Sequence, residues 1–272
     1  MRKQYRKQWI RWHNGYEKYA RIVFQQEFRK LANKIPLQLL TENNYKTIIE
    51  NVITTTELQN SYYTIYKRIG LIHGKRVGKQ INAQIKKVES KDFTLDMFIS
   101  RFERDIISFL FAKGGDRIVS VRNGYIKHIK EIIATGLNDN KTIPEITSQL
   151  QKLFKSRKWY RWQSLRIART ETTTAANFAA VTASRVSGVL MSKEWISSLD
   201  PRTRRPPHSH YDHYVMNGVR VDVDKDFDVS GEEMEYPGDP KGSAGNTINC
   251  RCTVAQIPKR DKNGKLVRVR PI

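Results

Sequence analysis

The stretch that decides the fold class is residues 166–196, RIARTETTTAANFAAVTASRVSGVLMSKEWI. Its first two thirds predict a helix over about residues 160–187, because small side chains recur at helical spacing on one face. Those small residues are Ala168, Thr172, Ala175, Ala176, Ala179 and Ala183. Such a face lets a sheet or a neighbouring helix approach closely. After Gly188 the pattern changes, and Leu190–Ile196 predicts a strand.

Upstream of this stretch the chain predicts a series of helices, because apolar residues recur at helical spacing. The segments are residues 16–28, 48–53, 58–69, 98–110 and 117–135. Gly70 and Gly74 are expected to loosen the chain after the third segment, and Gly114-Gly115 to stop the fourth. A capping box, Thr142 to Glu145, then begins a further amphipathic helix.

Downstream of the stretch the chain predicts strands joined by long polar loops. Tyr214–Met216 and Val219–Val221 flank Asn217-Gly218 and predict a hairpin with a type I′ turn, and Thr253–Ile257 predicts a further strand. The predicted fold class is therefore α+β, a helical N-terminal part followed by a small α+β C-terminal domain with a β-hairpin and long loops. The predicted divisions are a basic helical domain over 1–140, an α+β domain over 141–258 and a basic flexible tail over 259–272.

The net charge is high: 49 Lys and Arg against 27 Asp and Glu give +22. This surplus favours a polyanionic neighbour such as nucleic acid, although an ordinary basic soluble protein would show it too. No run of about 18 apolar residues predicts a membrane-spanning helix. The N-terminal stretch lacks the apolar region of a secretory signal. Two cysteines cannot build a disulfide framework, so folding in a reducing cytosol is expected.

Basic residues gather in two segments. Residues 1–30 hold nine Lys and Arg against two Glu, and residues 155–169 hold six with no acid, interleaved with Trp159, Tyr160 and Trp162. Cations beside aromatic rings suit contact with nucleic acid, whereas a solvated helix face with core aromatic residues gives the same pattern. The candidate nucleic-acid-binding residues are Arg2, Lys3, Arg6, Lys7, Lys155, Arg157, Lys158 and Arg161.

Histidine and cysteine concentrate near the C-terminus. His208, His213, Cys250 and Cys252 together offer the N and S ligands that zinc prefers, although Cys-x-Cys is tighter than the usual ligand spacing. Two small buried hydrophobes beside exposed loop histidines explain the same residues. We therefore expect no cofactor from the residues, with zinc as the alternative. Eight of the 27 acids fall within 222–239 and favour a solvated face or a docking patch.

Catalytic motifs are missing from the chain. It contains no Gly-x-Ser-x-Gly, no phosphate-binding glycine loop and no His-Glu-x-x-His. The sequence therefore predicts a protein that is not an enzyme. The alternative is a zinc- or thiol-dependent hydrolase or nuclease, in which Cys250 would pair with His208 or His213.

The C-terminal part resembles the phage Mu F-like minor head protein family, which includes the SPP1-type head morphogenesis proteins. The motifs that carry the resemblance, in chain order, are Arg166-Ile-Ala-Arg169-Thr170-Glu171, Lys193-Glu-Trp195, Asp200-Pro-Arg202-Thr203-Arg204, a His, Asn217-Gly218, Phe227, Pro237-Gly-Asp239-Pro240 and Asn249-Cys250-Arg251-Cys252-Thr253. Their order and the terminal Asn-Cys-Arg-Cys are specific. The resemblance covers about residues 115–258. The family pattern has one His in this loop, and either His208 or His213 fits it.

The resemblance implies a low-copy virion protein near the portal that acts in head assembly. It implies assembly in the host cytoplasm, portal, capsid or scaffold proteins as partners, and packaged DNA as a further contact. A structural network is expected from Arg169, Thr170, Glu171, Trp195, Asp200, Arg202, Arg204, Asn249 and Arg251. Within it, Asp200 should pair with an arginine. A nucleic-acid-binding protein of non-viral role is a third hypothesis, but it leaves the ordered motifs unexplained.

Overall fold

The computed structural model describes residues 2–85, 95–112 and 114–269, without the side chains of residues 111, 112, 114, 157, 162 and 163. A helical N-terminal part precedes a small part built from short strands and loops, so the predicted α+β class is confirmed. The helices are α1 (Arg2–Asn33), α2 (Tyr45–Val52), α3 (Thr56–Ile85), α4 (Leu95–Ala112), α5 (Gly114–Asn138), α6 (Ile143–Lys155), α7 (Arg157–Arg185) and the single turn α8 (Ala244–Thr247). The strands are β1 (Met191–Ile196), β2 (Arg220–Asp222), β3 (Phe227–Val229), β4 (Glu232–Met234) and β5 (Thr253–Pro258).

Helix α3 is continuous through Gly70 and Gly74, where the sequence predicts a loosened chain. The two glycines lie against α4: a Cβ at Gly70 would stand 1.9 Å from Phe102, and one at Gly74 would stand 1.9 Å from Phe98. Their absent side chains let the two aromatic rings lie on the backbone of α3. The prediction was wrong because it considered the backbone freedom of glycine and not the space it leaves.

The strands form a three-stranded antiparallel sheet in the order β2-β1-β5 and a separate β3-β4 hairpin. The predicted hairpin around Asn217-Gly218 is wrong. Residues 214–218 form turns, and β2 pairs with β1 rather than with residues 214–216. The hairpin lies instead in the acidic segment, around Ser230-Gly231, whose φ values of 56° and 86° fit the type I′ turn.

The core of the molecule is continuous from Trp9 in α1 to Val254 in β5. Helix α7 packs on α1 and α3 through its small face, where Ala168, Ala175 and Ala179 are fully buried. The sequence predicts this close approach. The division at residue 140 stays a prediction.

Residues 259–269, which the sequence predicts to be a flexible tail, fold back beside the start of β1. Leu190 N–H donates to Val267 O at 2.7 Å and Val269 N–H donates to Gly188 O at 3.1 Å. A turn over residues 261–265 reverses the chain, with Asp261 Oδ1 accepting from the backbone of Asn263 and Lys265. These backbone hydrogen bonds hold the segment although its composition is polar.

Candidate functional site

The segment around Cys250 and Cys252 is held by side chains from three helices. Strand β5 is an edge strand, so its outward backbone groups need partners from outside the sheet. In the strand, Val254 N–H donates to Asn177 Oδ1 at 3.2 Å, Val254 O accepts from Tyr5 OH at 3.0 Å and Gln256 O accepts from Gln84 Nε2 at 3.2 Å. Just before the strand, Cys250 O accepts from Thr173 Oγ1 at 2.5 Å and Arg251 O accepts from Trp9 Nε1 at 2.8 Å. Helices α1, α3 and α7 thereby fix the backbone of this segment and leave the thiols to face elsewhere.

Both thiols face one imidazole. His213 Nδ1 lies 3.6 Å from Cys250 Sγ and 3.7 Å from Cys252 Sγ, and all three residues are buried. A single residue, Arg251, separates the two cysteines, and both thiols lie on the same side of the segment. The edge of the Trp195 ring closes one wall of this cluster, with ring centroids 5.4 Å from His213.

A chain of hydrogen bonds fixes the imidazole. His213 Nε2 lies 2.6 Å from Asn246 Oδ1, while Asn246 Nδ2 donates to Val229 O at 3.3 Å and to Glu232 Oε2 at 3.0 Å. Because Nδ2 faces two acceptors, the amide oxygen must face the ring, so Nε2 carries the proton in the neutral imidazole. Nδ1 therefore presents its lone pair to the two thiols.

Glu232 lies at the end of this series of hydrogen bonds. Its carboxylate accepts from Tyr211 OH at 2.7 Å and Ser243 N at 2.8 Å. Burial acts to raise the pKa of Glu232, but the hydrogen bonds from Ser243, Tyr211 and Asn246 outweigh it and lower that pKa to about 2. The residue is therefore ionised at neutral pH. Sequence reasoning missed both Glu232 and Asn246, because neither belongs to a ligand motif.

Among the candidate ligands, His208 lies apart. It is exposed on the loop, and the group of close donor atoms found in the described part of the chain is His213, Cys250 and Cys252, within 4.8 Å of one another. Of the two histidines that the sequence left open, His213 is therefore the one that lies beside the two thiols.

The family-motif residues of the loops meet around the Cys-x-Cys segment. The expected pairing of Asp200 with an arginine is present, since Arg251 Nη1 lies 3.0 Å from Asp200 Oδ2. Arg204 donates through Nε to Gly245 O at 2.7 Å and through Nη2 to Ile248 O. Arg202 is exposed and contributes its backbone N–H to Asp200 Oδ1 at 2.9 Å.

The motif residues of α7 face α1 and α3. Arg169 donates to the Glu17 carboxylate through Nε at 2.9 Å and Nη2 at 3.4 Å, and it donates through Nη1 to Asn249 Oδ1 at 3.3 Å. Asn249 N–H in turn donates to Thr170 Oγ1 at 3.0 Å. Thus the middle of α7, the middle of α1 and the Cys-x-Cys segment are tied together through these polar side chains.

Glu171 is buried beneath this layer. It accepts from Tyr66 OH at 2.5 Å, and Arg117 Nη1 lies 3.7 Å away. Burial raises the pKa of Glu171, against the charge of Arg117 and the Tyr66 hydrogen bond. Arg117, which sequence reasoning missed, also donates to Gly238 O at 3.2 Å.

Gly238 of the Pro-Gly-Asp-Pro motif passes close to α7. Its φ is +84° and a Cβ there would lie 3.1 Å from Thr174 Oγ1, so glycine alone fits without strain. A groove of about 730 Å³ between α5, α7 and residues 240–249 is lined by Arg117, Arg169, Glu171 and Asn249. Family-motif residues therefore face a shared groove as well as the chain's interior.

The candidate nucleic-acid-binding residues separate into two groups. Arg2 and Arg6 bind the C-terminal part: Arg2 Nε lies 2.7 Å from Glu194 Oε1, and Arg6 Nε donates to Ser197 O at 2.7 Å. Lys3, Lys7, Lys155, Lys158 and Arg161 are exposed, and Arg2 stays exposed beside its ion pair. The side chain of Arg157 lies outside the described residues.

Two of the aromatic residues among these cations, Trp159 and Tyr160, pack in or against the core, and the side chain of Trp162 lies outside the described residues. Tyr160 is buried, and the Trp159 ring packs against Phe154 and Tyr125 with centroids 5.4 and 5.7 Å away. Burial raises the pKa of Tyr160 to about 12, while the charge of Arg29 acts to lower it. Arg29 therefore lies near the start of α7.

The acidic segment is largely engaged within the chain. Asp222 pairs with Lys259, Asp224 and Glu235 with Arg185, and Asp226 with Lys241. Asp228 and Asp239 accept backbone hydrogen bonds of their own turns. This arrangement ties the acidic segment to the rest of the chain, while Asp222, Asp224, Asp228 and Glu233 stay exposed, and the expected docking role remains a prediction.

A small antiparallel sheet packs against the long helix α7, and the Arg, Asn and Cys motifs follow one another along the chain. These features define the class of protein that the sequence resembles. Residues 127–255 match the family described as Phage Mu protein F like protein. The resemblance to this family is confirmed over these residues, and the match favours a phage head morphogenesis protein.

A curated protein is also similar to this chain. The NAD(+)--arginine ADP-ribosyltransferase EFV of Enterococcus faecalis (strain ATCC 700802 / V583) is 29% identical over 144 residues, which cover 52% of this chain and 28% of that protein. The chain thus spans little more than a quarter of this relative. No solved structure matches the chain. None of the helices among the described residues is both long and apolar enough to cross a membrane.

Proposed function

We propose that this protein is a low-copy component of the phage head that acts in capsid assembly near the portal and contacts packaged DNA through α1. Support comes from the family match together with the exposed face of α1. That face carries Lys3, Lys7, Arg11, Lys18 and Arg29, all exposed. We call these five residues the basic stripe.

The face of α1 that carries the basic stripe contains no acidic residue. At 100° per residue the members of the stripe lie within about 80° of one another, and at about 1.5 Å per residue they span roughly 39 Å. That length is close to one turn of B-DNA, about 34–36 Å. Among the ion pairs of the described residues none involves the stripe, so its charges are available to phosphates.

Salt dependence of DNA binding tests the proposal. Changing Lys7, Arg11, Lys18 and Arg29 to Gln should reduce the slope of log K against log salt by about 3.6, since each neutralised phosphate contributes about 0.9. The control variant replaces Lys127, Lys225, Lys262 and Lys265, which are exposed outside the stripe. It has the same net charge and should change the slope by less than about 1. Equal loss in both variants would show that total charge, not the stripe, binds DNA.

The place in the head is tested separately. Cross-linking of purified procapsids followed by mass spectrometry should recover this chain with the portal or scaffold protein. Recovery with the major capsid shell alone would contradict the portal assignment while leaving the family intact.

The named relative raises a second candidate, transfer of ADP-ribose from NAD(+) to arginine. We propose that the shared region is the assembly part and that the activity named for the relative lies in its remaining 72% (100 − 28). Incubation of the full chain with labelled NAD(+) and an arginine-rich acceptor should give no more labelling than a heat-denatured sample. Labelling that depends on the folded chain would overturn the non-enzymatic assignment.

A further inference from the structure

We propose that the chain binds one Zn²⁺ through His213 Nδ1, Cys250 Sγ and Cys252 Sγ. The donor distances carry the argument. Zinc lies about 2.3 Å from thiolate sulfur and about 2.0–2.1 Å from imidazole nitrogen, so a tetrahedral angle sets sulfur and nitrogen about 3.6 Å apart. The observed separations are 3.6 and 3.7 Å.

Hydrogen bonding between the thiols and the ring explains less of this arrangement. Nδ1 has one lone pair, which accepts a single S–H. Two sulfurs nevertheless approach it at nearly equal distance. A cation on the side shared by all three donor atoms accounts for both sulfur-to-nitrogen distances.

The surroundings of His213 match those of metal-bound histidines. A ligating imidazole commonly donates its other N–H to an oxygen that is itself held in place, which orients the ring. Here Asn246 Oδ1 accepts from Nε2 and is oriented by Glu232, so the free lone pair is at Nδ1. The backbone of the Cys-x-Cys segment is independently held by Thr173 and Trp9.

Three protein ligands leave one tetrahedral position. Among the described residues no fourth His, Cys, Asp or Glu side chain joins the group, so the remaining position falls to a water molecule. The bound ion would join the loop that ends at His213 to the segment that ends at Cys252. It would thereby add a cross-link to those that Arg251 makes with Asp200, Arg204 with Gly245 O and His213 with Asn246.

The first test is metal content. The full chain, purified without chelator and with a thiol reductant, should carry one zinc per chain by mass spectrometry of the metals. Titration of its two thiols with an organomercurial should release that zinc stoichiometrically, as a metallochromic indicator reports. Replacement by Co²⁺ should give sulfur-to-metal charge-transfer absorption. Wild-type protein that holds no zinc and takes none up from a zinc-buffered solution would overturn the proposal.

Variants separate the ligands from their neighbours. Cys252→Ser and His213→Ala should lose the zinc, whereas His208→Ala, in the exposed loop, should keep it. Asn246→Ala should retain the fold by circular dichroism and bind zinc about 10–100-fold more weakly. Zinc retained by both ligand variants, or lost equally from His208→Ala, would refute this ligand set.

Discussion

Asn177 is the side chain on which the attachment of β5 to α7 depends most. It is buried, donates through Nδ2 to Pro237 O at 2.9 Å and Cys252 O at 3.2 Å, and accepts through Oδ1 from Thr253 Oγ1 at 2.8 Å and Val254 N at 3.2 Å. Replacement by Ala leaves four polar groups without these partners. We therefore expect Asn177→Ala to be strongly destabilising.

The size of the expected loss in stability follows from the number of buried polar groups that lose a hydrogen-bond partner. A buried group left unsatisfied costs about 1–3 kcal/mol, so four would cost roughly 4–12 kcal/mol if nothing relaxed. Water entry and movement of the edge strand reduce this, and single substitutions rarely exceed about 4–5 kcal/mol. We expect a loss of about 4 kcal/mol. At about 2–4 °C per kcal/mol for a chain of this size, Tm should fall by roughly 8–16 °C.

The assay is urea unfolding followed by circular dichroism, with Asn60→Ala on the exposed side of α3 as the control, expected to change stability by less than about 0.5 kcal/mol. Asn177→Asp separates hydrogen bonding from shape. It has nearly the volume of Asn but sets an oxygen against two carbonyl oxygens, so it should also be strongly destabilised. An Asp variant as stable as the wild type would refute the reasoning.

Four further substitutions have expected outcomes. Gly70→Ala should destabilise by about 1–3 kcal/mol in urea unfolding, since its Cβ would stand 1.9 Å from a phenylalanine ring of α4, whereas Gly15→Ala, with nothing within 4 Å, should stabilise by about 0.5–1 kcal/mol. Burial lowers the pKa of His73 to about 3. Below about pH 6.5 the unfolded chain therefore binds a proton at this residue that the folded chain does not bind. His73 should therefore contribute a fall in stability of up to about 1.4 kcal/mol per unit as pH drops from 6.5 towards 3. His73→Phe should remove that contribution, while the share of His13, whose pKa burial also lowers to about 3, remains. Asp200→Ala, which breaks the half-buried pair with Arg251, should cost about 1–2 kcal/mol by the same assay; an unchanged unfolding midpoint would contradict a structural role for this pair.

The sequence predicts the elements whose information is local and misses those that depend on distant contacts. The capping box is present, with Thr142 N–H donating to Glu145 Oε2 at 2.7 Å, because all its parts lie within four residues. Asn217-Gly218 is a turn but not a hairpin, because Asn217 Oδ1 accepts from Arg6 and from Ser197 N. Those partners lie far along the chain, so no local pattern reveals them.

The candidate site shows the same division. Residue types identify Cys250, Cys252 and a histidine, because thiols and imidazoles are rare and chemically distinctive in this chain. Choosing His213 over His208 requires knowing which part of the loop folds inward. The roles of Asn246 and Glu232 depend on α8 and the β3-β4 hairpin meeting, and ordinary polar residues carry no mark of that in the sequence.

The charge of α1 shows why composition indicates a polyanion without locating it. Arg2 and Arg6 lie on the same side as Trp9, where they bind β1 and the residues after it, and Lys7 and Arg11 lie on the opposite side. Adjacent residues such as Arg6 and Lys7 therefore serve different surfaces, because 100° of helical rotation separates them. Helix α1 therefore connects the two parts of the proposed function, head assembly and contact with DNA. Its inner face holds the edge strand β5, and its outer face is basic. DNA bound on the outer face would act on the same rigid element that positions the Cys-x-Cys segment.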